Sequence, residues 1–309
     1  MPCYSPLYGY KSALVTKNGK RKVVFSRNKG FADLQMTVPC GQCIGCRIDR
    51  SRMWAIRCTH EAKLHEANSF ITLTYDDEHL PHDNGLSKDH FQKFMKRLRF
   101  AIQPAFVRFF ACGEYGDLNQ RPHYHAVLFG YDFTYDRKVH SKKKKGEQEI
   151  IHYTSELLSK AWGMGRCTLT SFNYSAAAYT ARYVMKKQNG KNALQHENYS
   201  RLNLSTGEIY QVQPEFALMS MRPGLGHGWY EKYKKDAFPS DFLIHEGKKH
   251  SVPRYYLDKL KKQNPEMAIK VTDKRKKMRL TTAADNTSDR LAVREECKKA
   301  QLSQLTRSL

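Results

Sequence analysis

The chain has 309 residues, with 53 Lys and Arg against 30 Asp and Glu, a net charge of +23. That length supports one large hydrophobic core or two, and so much positive charge favours a polyanion, either nucleic acid or an anionic membrane surface. No stretch approaches the apolar length of a membrane span and Met1-Pro2-Cys3-Tyr4 does not open a signal peptide, so the expectation is a cytoplasmic protein, no membrane, and nucleic acid as partner. In a reducing compartment the eight cysteines are not expected to form a disulfide framework.

In chain order, residues 1–40 mix Tyr, Lys, Arg and Gly without a long period, which predicts loops with short strands such as Lys22-Val23-Val24-Phe25. Cys40, Cys43 and Cys46 follow at three-residue intervals. Thiolates at that spacing on a turn converge on one Zn²⁺, with Cys3 able to complete a tetrahedral set, and the same spacing is compatible with free buried thiols. Arg47 to Ala67 fits a helix on which Arg47, Arg50, Trp54 and Arg57 share a face. A basic stripe with an aromatic can grip phosphates and stack a base, although such a stripe is also what a solvated face carries. Phe70 to Tyr75 alternates as a strand and ends at Asp76-Asp77-Glu78. Ser87 then caps a helix whose apolar positions are Phe91, Phe94, Met95, Leu98 and Ile102.

Next comes an apolar run from Val107 to Glu114, a loop rich in Gly, Asp, Asn and Pro, and a second run from His123 to Gly130. This is the pattern of an antiparallel hairpin. On an extended strand His123 and His125 point the same way, and the hairpin brings Glu114 beside them. Two neutral imidazoles and a carboxylate with open positions suit Mn²⁺ or Mg²⁺, whereas two hydrogen-bonded histidines are the plainer alternative.

Asp132 to His152, with its Lys142–Lys145 run, is predicted to be a flexible basic loop. Ser155 to Trp162 fits a short helix, Gly165 to Thr170 a strand, and Tyr174 to Lys187 a helix free of Gly and Pro. On that helix Tyr179 and Tyr183, four apart, present two phenols to one point, with Lys186 and Lys187 on or beside the same stripe. An aromatic stripe of this kind also suits a core-facing helix. The order βαββαβα predicts an α+β fold, an antiparallel sheet with packed helices on a ferredoxin-like or palm-like core. The predicted segments are residues 1–66, a cysteine-bearing basic stretch; 67–190, the core; and 191–309, a basic region packed on the core with a helical tail. Within the last, the glycine-rich loop beside Arg222 is expected to let backbone approach a phosphate closely.

The stretches Gly-Glu-Tyr-Gly at 113–116, Arg-Pro-His-Tyr-His at 121–125 and Tyr-Thr-Ala-Arg-Tyr-Val-Met-Lys-Lys at 179–187 resemble the HUH endonucleases that start rolling-circle replication. Their wording is similar to the replication initiation proteins of the Microviridae, small single-stranded DNA phages, most closely the gokushovirus branch. The resemblance spans residues 70–187 and extends more weakly to Cys40–Cys43 and Arg222–Gly226. It implies an HUH nickase core in which Glu114, His123 and His125 hold Mg²⁺ or Mn²⁺, and Tyr179 and Tyr183 attack DNA with Lys186 and Lys187 nearby. The product is a 5′-phosphotyrosine link and a free 3′-OH that a polymerase extends, and a later 3′-OH reseals the strand. Single-stranded DNA, a replication origin and the host helicase and polymerase are the implied partners, in the cytoplasm of a bacterial host. A relaxase or transposase shares this chemistry. A noncatalytic nucleic-acid-binding protein with structural Zn²⁺ accounts for the charge and the cysteines alone.

Overall fold

Residues Leu7 to Val38, where composition predicts mostly loops, pair as three antiparallel strands: β1 (Leu7–Val15), β2 (Arg21–Val24) and β3 (Gly30–Val38), in the order β2-β1-β3. Most of their side chains are exposed, so the buried-exposed alternation that betrays a strand is absent from the sequence. The computed structural model describes residues 3–17, 19–116, 119–145, 148–186, 199–202 and 206–304. The chain forms two compact units, Met1–Asp49 with Lys270–Leu309, and Arg50–Ile269. These boundaries cross those drawn from composition at 66 and 190. Helix α1 (Ile44–Ala62) spans the first boundary, and its Ala55, Cys58 and Ala62 lie in a core cluster of the larger unit.

The larger unit is built on strands β4 (Asn68–Tyr75), β5 (Arg108–Tyr115), β6 (Pro122–Phe129), β7 (Lys138–Lys145), β8 (Gln148–Thr154) and β9 (Gly165–Ser171). Helix α2 (Lys88–Ala101) follows β4, α3 (Glu156–Trp162) follows β8, and α4 (Tyr174–Lys186) follows β9. Two short strands, β10 (Ser200–Leu202) and β11 (Ile209–Gln211), form a separate ribbon, and β12 (Phe216–Met219) joins the main sheet. The sheet runs β12-β5-β6-β4-β9-β8-β7 with every pairing antiparallel. Its centre, β5-β6-β4-β9, is a βαββαβ unit with the strand order of a split βαβ fold. The α+β expectation therefore holds.

Period-two alternation sorts the side chains into two layers. Ile71, Leu73 and Tyr75 of β4 and Tyr124, Ala126 and Leu128 of β6 pack with Phe91, Phe94 and Leu98 of α2 and Leu158 and Trp162 of α3. On the other face, Val127 and Phe129 of β6 and Phe110 of β5 meet Ala55, Cys58 and Ala62 of α1 and Ala177 and Ala181 of α4. Ser87 caps α2 as expected, its hydroxyl accepting from His90 N–H.

Residues 132–152 depart from expectation. In place of a flexible loop, β7 and β8 form a hairpin that extends the sheet, with Lys142 opposite Ile151 and Lys143 opposite Ile150. Lysine has weak strand preference, but cross-strand neighbours of high β-propensity and the seam of β8 with β9 at Tyr153 and Leu169 supply the pairing.

The remaining elements are α5 (His227–Ala237), the hairpin β13 (Phe242–His245) and β14 (Lys248–Ser251), α6 (Arg254–Gln263), α7 (Pro265–Thr281) and α8 (Ser288–Ser303). Among the described residues no helix is long and apolar enough to cross a membrane. The loop Arg222–Gly226 is tied down from three sides. Glu61 accepts from Gly226 N–H at 2.6 Å and pairs with Arg108 Nε at 2.9 Å. Arg108 also donates to the Pro223 carbonyl, and Arg57 Nε to the Leu225 carbonyl at 3.1 Å. Gly226 sits at φ 77°, and a Cβ there would collide with the Tyr256 hydroxyl, so glycine is required. The polar backbone expected to meet a phosphate is thus engaged within the protein at these positions.

Trp162 is fully buried and donates its indole N–H to the Thr74 carbonyl at 3.2 Å. Trp162→Ala is expected to cost about 3–5 kcal/mol in urea denaturation, while Phe100→Ala, at a side chain 78% exposed, stays within about 0.5 kcal/mol.

Candidate active site

The register of β5 against β6 places Glu114 opposite His123 and Cys112 opposite His125. Because the two histidines are two residues apart on one strand, both imidazoles project from the same face, beside the carboxylate. Glu114 Oε1 lies 2.7 Å from His123 Nε2 and 2.8 Å from His125 Nε2. One ligand atom from each of the three residues falls within 4.8 Å of the others.

Each imidazole is oriented through its other nitrogen. His125 Nδ1 is 3.0 Å from Thr72 Oγ1 on the neighbouring β4, and His123 Nδ1 is 3.1 Å from the Arg121 carbonyl. Both second nitrogens therefore face Glu114, as a histidine ligand requires. Sequence reasoning missed Thr72. The signal was present in the β4 pattern, where Phe70, Thr72 and Thr74 alternate with the buried Ile71, Leu73 and Tyr75 and so face the same side as the histidines.

Glu114 and His125 are buried, and His123 is partly exposed. Burial pushes the Glu114 carboxyl up, but hydrogen bonds from His123 and His125 more than offset it and hold the group below the ordinary carboxylate range. A buried carboxylate beside two imidazoles is a donor set that suits a hard divalent cation. The loop entering β6 is pinned by Arg121, which bonds the Tyr75 carbonyl at 2.9 Å and pairs with Asp77 at 2.8 Å.

Helix α4 lies over this face. Ala176, Ala177, Thr180 and Ala181 form its buried stripe, and the Thr180 hydroxyl bonds back to the Ala176 carbonyl. Tyr179 flanks the stripe. Its ring centre is 5.1 Å from that of His125, in an edge-to-face arrangement, and 6.1 Å from Phe70. Phe70 in turn stacks on His125 at 5.5 Å. The structure thus brings together Glu114, His123, His125 and Tyr179. Tyr183 and Lys186 lie on the backbone of α4, but their side chains fall outside the described residues, as Lys187 does altogether.

The basic residues singled out from the sequence have different surroundings. Arg57 is held between the rings of Trp54 and Tyr255, 4.2 Å from each centre, so its guanidinium serves the interior packing of the larger unit. Arg47 and Arg50 are half-buried, and Arg222 is exposed.

In the smaller unit, Cys3, Cys40, Cys43 and Cys46 also converge, with all four sulfurs within 4.8 Å of one another. Cys3 Sγ is 3.7 Å from Cys40 Sγ and 4.0 Å from Cys43 Sγ. Backbone N–H groups of Tyr4, Cys40, Gln42 and Cys43 point at these sulfurs at 3.2–3.4 Å. Burial pushes the Cys3 and Cys46 thiols up. At Cys43 burial also acts upward, yet the hydrogen bonds from Cys46 and Tyr4 N–H bring it down to about 7. Four convergent sulfurs wrapped in N–H donors fit a tetrahedral soft-metal site.

The comparisons with known proteins agree in direction. The family model for replication-associated protein ORF2/G2P matches residues 68–188. The chain is 33% identical over 258 residues to replication-associated protein VP4 of Bdellovibrio phage phiMH2K, covering 81% of this chain and 76% of that protein. It is 31% identical over 245 residues to replication-associated protein ORF2 of Spiroplasma virus 4, covering 75% and 70%. With ORF4 of Chlamydia phage 1, also a replication-associated protein, identity is 29% over 229 residues. No solved structure matches the chain. Coverage and identity of this order establish that the chain belongs to the replication-associated proteins of small phages, the Microviridae family its motifs resemble.

Proposed function

We propose that this protein is a replication initiation endonuclease, an HUH nickase that cuts single-stranded origin DNA by tyrosine attack and later rejoins it. The observation that carries this reading is the Tyr179 ring 5.1 Å from His125, over the face where Glu114, His123 and His125 converge. A lone pair of core histidines does not require a phenol on the same side. On this reading the βαββαβ centre is a ferredoxin-like HUH core, and Arg47, Arg50 and Arg222 are contacts for the DNA backbone.

Glu114, His123 and His125 would hold Mg²⁺ or Mn²⁺, which when bound draws charge from a non-bridging oxygen of the scissile phosphate and makes phosphorus more open to attack. Thr72 and the Arg121 carbonyl keep the two imidazoles in the orientation this requires. A phenol has an ordinary pKa of about 10, so little is ionised at neutral pH and the nucleophile needs a cationic setting. Lys186 and Lys187, three to eight residues after the tyrosines in the sequence, are the proposed source. As the phenolic oxygen bonds to phosphorus it gives up its proton, the bond to the 3′ oxygen breaks, and that oxygen takes a proton. The 5′ end remains on the tyrosine and the 3′-OH is free for a host polymerase, with a host helicase opening the duplex ahead. Tyr179 and Tyr183, four residues apart, would act in alternation, one cutting in the next cleavage while the other still carries the strand, so that a unit-length circle can close. The setting is the cytoplasm of a bacterial host. The four cysteines would hold a structural Zn²⁺.

With Mn²⁺ and labelled single-stranded oligonucleotides tiling the phage genome, a covalent adduct should appear on a denaturing gel at one sequence. Tyr179→Phe combined with Tyr183→Phe should remove it, and an undiminished adduct in the double variant would overturn the assignment.

Metal binding has its own readout. Thr72→Val keeps the strand-forming shape but removes the bond to His125, and calorimetry should show Mn²⁺ affinity about 10–100-fold lower. Unchanged affinity would mean that the orientation of His125 does not depend on Thr72.

Protein purified under reducing conditions should carry one Zn²⁺ per chain by elemental analysis, and Cys43→Ala should lose it. Metal-free wild-type protein with four reactive thiols in the unit would leave the free-thiol alternative standing.

A further inference from the structure

The sheet β2-β1-β3 is poor in core and rich in exposed aromatic and basic side chains. Among the described residues of its unit, the buried apolar side chains are Cys3, Cys46, Val271 and Leu291, two of them members of the cysteine cluster. Phe25 is 61% exposed and Phe31 39%, on the face that Gly9 and Lys11 share, whereas Tyr8, 64% exposed, lies on the opposite face with Tyr10 and Val24. Interleaved with them between residues 7 and 38 are Lys11, Lys17, Lys20, Arg21, Lys22, Arg27 and Lys29, all exposed, against the single acid Asp33. None of the seven forms an ion pair among the described residues, and the Arg21 guanidinium lies 5.0 Å above the Phe31 ring.

Exposed aromatics cost solvation unless something covers them, and the surrounding charge says what kind of partner can. Lysine is depleted from the cores of protein interfaces, whereas seven cations facing almost no anion are complementary to a polyanion. Rings can stack on bases only where the bases are unpaired, so rings within a basic field favour a single strand over a duplex. The cysteines add rigidity where it is needed. Leu7 pairs with Val38 at the open end of the sheet, Cys3 lies just before Leu7 and Cys40 just after Val38, so the cluster clips together the two strands that carry the surface.

We propose that this sheet is a second docking surface for single-stranded nucleic acid, sequence-tolerant and separate from the nicking centre. It reads bases by stacking on Phe25 and Phe31, which share a face with Lys11, and phosphates through the flanking lysines. The two readings fail separately, because binding to this sheet involves no cleavage. A protein that binds through the sheet but never forms a phosphotyrosine would refute only the nicking proposal.

The test uses the full chain, without added Mg²⁺ or Mn²⁺, and a fluorescent dT oligonucleotide of about twenty nucleotides followed by anisotropy across a salt series. Phe25→Ala with Phe31→Ala should weaken binding by about tenfold or more. Lys11→Gln, Lys20→Gln and Lys22→Gln together should lower the slope of log affinity against log salt by about 2. The lysine set changes only exposed chains, so it carries the test if the aromatic variant melts early. Wild-type affinity and slope in the lysine variant would overturn the proposal, as would equal weakening for a duplex of the same length. A surface that serves a protein partner gives that first, overturning result.

Discussion

The candidate site depends on one constraint, the register of β5 against β6. Side chains alternate across a strand, so a slip of one residue would carry both imidazoles to the opposite face and leave Glu114 among apolar neighbours. Tyr124 holds the register from the far side. It is fully buried between the histidines in sequence, and its hydroxyl accepts from Ser87 N–H and donates to the Ser87 carbonyl, each at 2.9 Å, while meeting the Tyr75 hydroxyl at 2.7 Å. Displacing it would leave several buried polar groups without partners, which is costlier than losing the bonds themselves. The hydrogen-bonded cap of α2 and the orientation of two histidines on the other side of the sheet thus share one residue.

Close packing of α4 completes the arrangement. Alanine and threonine on its buried stripe carry little volume, so the helix axis can approach the sheet and a flanking tyrosine can reach the histidine layer. A leucine stripe would have bought more hydrophobic burial and set Tyr179 further out. The position of the phenol therefore follows from what its helical neighbours lack.

Much of this was legible in the sequence because the buried elements obey simple periods. His123 and His125 two apart, Glu114 before a turn-rich loop, and the four-cysteine spacing each encode a local geometry that the fold preserves. What sequence reading missed were relations that need a third strand or a distant loop. Thr72 became relevant only through β4 lying beside β6, and Arg57 is half-buried between two rings because Tyr255, nearly two hundred residues away, packs against it. The short strand expected at Lys22–Phe25 is β2, but β1, β3 and the β7–β8 hairpin escaped for a shared reason: they carry charge on exposed strands, and alternation of burial, the usual sign of a strand, cannot show where little is buried.

The hairpin β7–β8 has a consequence for how copies of this protein coexist. At the margin of the sheet, β7 has no neighbouring strand on its outer side among the described residues, which makes its row of backbone N–H and C=O groups a template on which another chain could add. Lys142, Lys143 and Lys144 are exposed along this edge strand, alternating between its two faces. Mutual repulsion between two such borders opposes edge-to-edge aggregation, so a lysine run that reads in the sequence as a flexible loop also keeps crowded molecules from polymerising through their sheets.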